Sequence, residues 1–156
     1  MDNHLKMFIY PGKLFVTPAP YDLATILGSC ISVCVFDPHK RIGGMNHYML
    51  PLWNGEGLAS PKYGNVAIEL LINKMLKMGC YKKNIEAKIF GGASVIKTNH
   101  DLYNIGERNI QIAEDMLKKA DIKIIASSVG GDRGRKIVMD TENFQIRHKY
   151  VQKKNF

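Results

Sequence analysis

The chain has 156 residues, 46% hydrophobic and 23% charged, with a net charge of +8. That is room for one domain with its own core, here expected to span residues 1–156. Ordinary globular usage excludes a disordered chain, a collagen-like repeat and a small disulfide scaffold, and no apolar stretch approaches the roughly 18 residues that suggest a membrane span. Met1-Asp2-Asn3-His4 is not the start of a secretory signal, so a soluble cytoplasmic domain is expected.

In chain order, Leu14-Phe15-Val16 reads as a short strand stopped by Thr17-Pro18-Ala19-Pro20. An apolar segment follows at 23–27, then the small-residue turn Gly28-Ser29. The run 31–36 is β-branched and apolar on both faces, the pattern of a buried strand. Asp37-Pro38-His39-Lys40 is turn chemistry, and 42–50 reads as the returning strand of a hairpin. Gly43-Gly44 within it suggests a bulge or a close backbone approach. Residues 51–64 have no period and form a long loop around Trp53. A helix is expected over 63–78, with Ala67, Leu70, Leu71, Met75 and Met78 on its apolar face and Gly79 as its stop.

A strand at 85–90 leads into Gly91-Gly92-Ala93-Ser94. A second helix is expected at 106–119, with Ile110, Ala113, Met116 and Leu117 inward, and strands at 122–126, 136–139 and 144–149. Many strands with only two substantial helices indicate an α/β sandwich rather than a doubly wound fold.

The three cysteines, Cys30, Cys34 and Cys80, lack the spacing of a disulfide framework. In an extended strand Cys30 and Cys34 lie roughly 13 Å apart, beyond the reach of a disulfide, and reduced thiols in a reducing compartment fit. Residues 117–156 carry ten Lys or Arg against four Asp or Glu. Such a basic end suits nucleic acid, an acidic membrane face or an acidic protein, and equally a solvated surface ending in Gln152-Lys153-Lys154-Asn155-Phe156. No nucleic-acid motif or aromatic platform accompanies the charge.

Cys30 is the sharpest chemical feature. It follows Gly28-Ser29 at a turn, where small residues admit a substrate and backbone N–H groups escape the ladder, the two needs of an oxyanion hole beside a nucleophile. A thiol with a pKa near 8.5 needs an imidazole to take its proton. His47 is the candidate, because the hairpin across Asp37-Pro38 makes the region 47–49 a cross-strand neighbour of Cys30. Thr25 can orient the imidazole from the preceding strand, with Asp22 and Asp37 as carboxylate alternatives. The blander alternatives are a small buried hydrophobe for Cys30 and a hydrogen-bonded structural histidine for His47. Cys30, Cys34, His39 and His47 are spaced C-x3-C-x4-H-x7-H, which does not match zinc-finger spacing, so no metal site is assigned. Gly130-Gly131-Asp132-Arg133-Gly134-Arg135 lacks a phosphate-loop pattern and reads as a basic turn.

Thr25-Ile26-Leu27-Gly28-Ser29-Cys30, Asp37-Pro38 and His47-Tyr48-Met49-Leu50-Pro51 together resemble the CheD family of chemoreceptor glutamine deamidases. The resemblance continues through Lys62-Tyr63-Gly64-Asn65, Ile89-Phe90-Gly91-Gly92-Ala93-Ser94, Ile105-Gly106-Glu107-Arg108-Asn109 and the Gly130 to Arg135 segment. It implies a CheD-like α/β sandwich of mixed β-sheets, related to bacterial toxin deamidases. It implies Cys30 as nucleophile, His47 as base, Thr25 as orienting residue, and the backbone at Gly28 and Ser29 beside the oxyanion, with no cofactor. The implied substrates are glutamines on the cytoplasmic helices of methyl-accepting chemotaxis receptors. A non-catalytic role as partner of the CheC phosphatase is the alternative, with Gly91-Gly92-Ala93-Ser94 and the Trp53 loop as docking surfaces. Nucleic-acid binding and membrane insertion are not expected.

Overall fold

In a computed structural model, residues 4–94 and 104–152 are described; the end of the basic tail, residues 153–156, lies outside them. Two sheets and two helices stack in three layers. The first sheet contains β1 (Leu5–Phe8), β3 (Tyr21–Leu27), β8 (Arg135–Asp140) and β9 (Ile146–Tyr150) in the order β1-β3-β8-β9. The second contains β2 (Leu14–Thr17), β4 (Ile31–Asp37), β5 (Ile42–Asn46), β6 (Glu86–Gly91) and β7 (Lys123–Val129) in the order β2-β5-β4-β6-β7. Both sheets are mixed, since β1 runs parallel to β3 and β6 parallel to β7. Helices α1 (Gly64–Lys77) and α2 (Ile105–Lys119) pack against the second sheet. The architecture is the expected α/β sandwich.

Strand parity explains why β4 is buried at all seven positions. Ile31, Val33 and Val35 join Ala67, Ile68 and Leu71 in an outer core beneath the helices. Cys34 and Phe36 point the other way and join Leu23, Leu27, Met45 and Ile137 in an inner core between the sheets. Each fully buried Leu, Ile or Val contributes about 1.5–3 kcal/mol relative to exposure, so a strand with apolar residues on both faces is pinned into the middle layer.

Local details differ from the sequence expectations in instructive ways. The face of α1 is rotated: Ala67, Ile68, Leu71, Ile72 and Met75 are buried, whereas Leu70 and Met78 are exposed. Gly79, at φ 97°, ends the helix as expected. In α2, Gly106, Asn109, Ala113 and Leu117 form the buried line. Gly43 and Gly44 sit in an unbroken β2–β5–β4 ladder, so close approach rather than a bulge explains them. A Cβ on Gly44 would stand 2.3 Å from the Phe15 carbonyl oxygen. Arg135 does not belong to an exposed basic turn. It is 1% exposed, its guanidinium donates to the Ser128 and Gly130 carbonyls, and its carbon lies 5.3 Å from the Tyr150 ring centre. Strand β1 and the short 3-10 helix Lys82–Asn84 had no sequence signal.

Candidate active site

The hairpin register sets Cys30 and His47 diagonally across one end of the second sheet. The β4–β5 ladder pairs Cys34 with Met45 and ends at Asn46. The same register continues to a bridge between Ile31 and Tyr48, with Ile31 N donating to Tyr48 O at 3.1 Å and Tyr48 N to Ile31 O at 2.9 Å. Cys30 is therefore opposite Met49, and His47 is its diagonal neighbour, a relation with Cα atoms about 7–8 Å apart. Cys30 is half-buried and packs against the inner core. His47, 2% exposed, reaches across the same layer to β3.

There it meets Thr25, which is fully buried between Leu23 and Leu27. Thr25 Oγ1 donates to the Ile9 carbonyl at 2.6 Å and lies 2.7 Å from His47 Nδ1, which is itself 3.2 Å from that carbonyl. With the hydroxyl hydrogen directed at Ile9 O, donor counting places the imidazole proton on Nδ1. Nε2 then carries the lone pair; it is buried and makes no hydrogen bond among the described residues. The His47 backbone is clamped as well: its N–H donates to Lys13 O at 3.1 Å and its carbonyl accepts from Gly12 N at 2.8 Å. The carboxylate alternatives are engaged elsewhere. Asp37 accepts from the amides of His39 and Lys40 in the hairpin turn, and Asp22 pairs with His4 at 3.1 Å.

The turn at 28–30 is held by its carbonyls. Gly28 O accepts from Ala93 N at 2.9 Å, Ser29 O from Asn109 Nδ2 at 2.9 Å and Cys30 O from Gly92 N at 2.9 Å. In a trans peptide the N–H points opposite the C=O, so the Ser29 and Cys30 amides face away from these anchors. Neither donates to another residue among the described residues. The Cys30 amide faces its own sulfur and favours the thiolate, but burial outweighs it and pushes the thiol up. Burial pushes the His47 imidazole down, against the Ile9 carbonyl. Burial thus disfavours both the thiolate of Cys30 and the imidazolium of His47.

Three contributors escaped the sequence analysis as site residues. Ile9 acts through a carbonyl, which leaves no side-chain signal. Asn109, fully buried on α2, also donates to Met49 O at 3.0 Å, so one amide group ties the residue before Cys30 to the residue opposite it. Its signal was a polar residue on the small-residue face of a helix. Gly91 permits the closest approach: a Cβ there would stand 2.1 Å from Cys30 O. Cys34 and His39 do not extend the site as zinc ligands would; Cys34 packs in the inner core and His39 sits in the hairpin turn.

Comparison with known proteins matches this chain to others of one description. A family model, CheD chemotactic sensory transduction, matches residues 49–150. A protein of Sulfurimonas denitrificans named "Probable chemoreceptor glutamine deamidase CheD" is 49% identical over 154 residues, covering 97% of each chain. A protein of the same name from Trichlorobacter lovleyi is 47% identical over 136 residues, covering 87% of this chain and 84% of its own. Among solved structures, the Bacillus licheniformis hypothetical protein YfiH aligns with a TM-score of 0.49 and 18% identity over 74% of this chain; the chain spans 49% of that structure. With the Sulfurimonas relative matched nearly end to end and the family model matching most of the chain, the chain belongs to the CheD family.

Proposed function

We propose that the protein deamidates glutamine side chains of chemoreceptors, with Cys30 as nucleophile, His47 as general base and acid, and Thr25 as orienter. The observation that carries the mechanism is the Thr25–His47–Ile9 arrangement, which directs the proton to Nδ1 and leaves Nε2 free. His47 Nε2 takes the Cys30 proton as the sulfur attacks the amide carbon. The Ser29 and Cys30 amides receive the oxyanion in the tetrahedral intermediate. Imidazolium donates its proton to the departing nitrogen, ammonia leaves, and a thioester remains. Water, deprotonated by the same Nε2, then attacks the thioester carbon, and collapse releases glutamate and restores the thiol. Water is the only co-reactant the balance requires. Asn109 is a positioning residue, holding the turn so that its amides face the reacting carbon.

A cytoplasmic location fits substrates on the cytoplasmic helices of chemoreceptors. No helix among the described residues is long and apolar enough to cross a membrane. The rival role, a binding partner of the CheC phosphatase, gives the oriented imidazole no task. Incubation with cytoplasmic receptor fragments, read by peptide mass spectrometry, separates the two. Gln-to-Glu conversion lost in Cys30→Ala supports the enzyme. Absence of conversion on several matched receptors by the folded protein favours the binding role.

A further inference from the structure

The two sheets are covered unequally. Helices α1 and α2 close the outer face of the second sheet, whereas the outer face of the β1-β3-β8-β9 sheet carries no helix among the described residues. Register arranges that face in rows. Phe8, Ala24, Val138 and Arg147 lie side by side across four strands, and Ile26, Lys136 and Lys149 across three. Small Ala24 and Val138 floor a trough of about 660 Å³, walled by Phe8, Lys6, Arg147 and Lys149. Phe8 and Ile26 are 38% and 50% exposed.

Four cations border the trough, Lys6, Lys136, Arg147 and Lys149. The one carboxylate lining it, Asp22, is 6% exposed, pairs with His4 at 3.1 Å and lies 3.9 Å from Arg147. Among the described residues no carboxylate lies within ion-pair distance of Lys6, Lys136 or Lys149. Three strand intervals span about 14 Å, enough to seat one helix about 10 Å in diameter. Ile26, in the second row, stands four residues before Cys30 in the chain.

We propose that this trough docks an acidic amphipathic helix of the receptor substrate, its apolar stripe on Ala24 and Val138 and its flanking carboxylates against Lys136, Arg147 and Lys149. The proposal rests on the receptor-deamidase reading and adds a recognition surface outside the catalytic centre. Opposite charge across such a surface sets partner choice and on-rate, and weakens with salt.

The test uses two readouts. Binding of a receptor cytoplasmic fragment is titrated against full-length Cys30→Ala protein, with and without the pair Lys136→Glu and Lys149→Glu. Conversion is measured with the active enzyme on the same fragment and on a short glutamine peptide. The charge reversals should weaken fragment binding about tenfold and raise the KM for the fragment similarly, with kcat and peptide turnover unchanged. Val138→Trp, which fills the trough without altering charge, should do the same. Unchanged fragment binding and KM in all variants would overturn the proposal, as would equal losses on fragment and peptide. So would charge reversal that abolishes binding to anionic vesicles while leaving the fragment's affinity intact. Charge-sensitive fragment binding without conversion of either substrate would uphold the docking surface and reject the deamidase.

Discussion

Cys30 and Cys34 stand four residues apart and both belong to the inner layer, yet they differ in depth of burial and in the backbone and side chains around them. Cys34 lies in mid-strand opposite Met45, fully buried, 3.7 Å from Ser32 Oγ, and burial pushes its thiol up to about 12. Its strand, β4, is flanked on both sides by strands, β5 and β6. Cys30 sits where that sheet ends, in a turn whose carbonyls are anchored and whose amides face outward, with an oriented imidazole diagonally across. In the proposed mechanism, position at the end of a ladder, rather than residue type, suits Cys30 to act as the nucleophile: there the backbone still has donors to offer an oxyanion.

The largest expected effect breaks the comparison directly. Cys30→Ala should lower deamidation by about ten-thousand-fold or more with little loss of stability. Cys34→Ala should keep turnover within a few-fold and cost about 1–2 kcal/mol in denaturant unfolding through a small core cavity. Parallel kinetics and unfolding curves check both. Next, His47→Gln should reduce kcat by roughly 10²- to 10⁴-fold while leaving receptor binding in place, as titration against receptor fragments would report. Thr25→Val keeps the shape but removes the hydroxyl that receives the Nδ1 proton; kcat should fall about 10- to 100-fold, as for other outer-shell partners, and Thr25→Ser should recover most of it.

The smallest effects lie in pH. Burial lowers the folded His47 value beneath the ordinary one near 6.5. Stability from its neutral form is therefore complete above about pH 6.5. It is lost as pH falls toward the folded value, because the unfolded chain then binds more protons. His47→Gln should flatten that part of the stability profile. The Cys30 value is raised, so alkylation by iodoacetamide should still be rising above the ordinary thiol value of about 8.5.

Much of this arrangement is legible in the sequence for physical reasons. The β-branched run at 31–36 has the pattern of a two-faced buried strand, Asp-Pro is turn chemistry that indicates a hairpin, and the hairpin makes the region 47–49 a cross-strand neighbour of Cys30. Thr25 is legible as a polar residue on the inward parity of β3, between Leu23 and Leu27. What escapes is carried by backbone or by tertiary override. Strand β1 is four residues of mixed exposure, without alternation strong enough to mark it, yet it leads to the Ile9 carbonyl that decides the His47 tautomer. Arg135 shares inward parity with Ile137 and Met139, but its charge argues for the surface until Ser128, Gly130 and Tyr150 are seen to receive it. The face of α1 turns away from Leu70 and Met78 because the packing of α1 against α2, β5 and β2, rather than periodicity alone, selects among neighbouring apolar lines.

The most direct measurement is the acyl-enzyme itself. A receptor peptide bearing a target glutamine is incubated with the enzyme, quenched in acid during turnover, and the protein is mapped by mass spectrometry. The account predicts a thioester to the peptide on Cys30, absent in Cys30→Ala and present in Cys34→Ala. Turnover that proceeds in Cys30→Ala, or an adduct located on Cys34 or Cys80 instead, would contradict it.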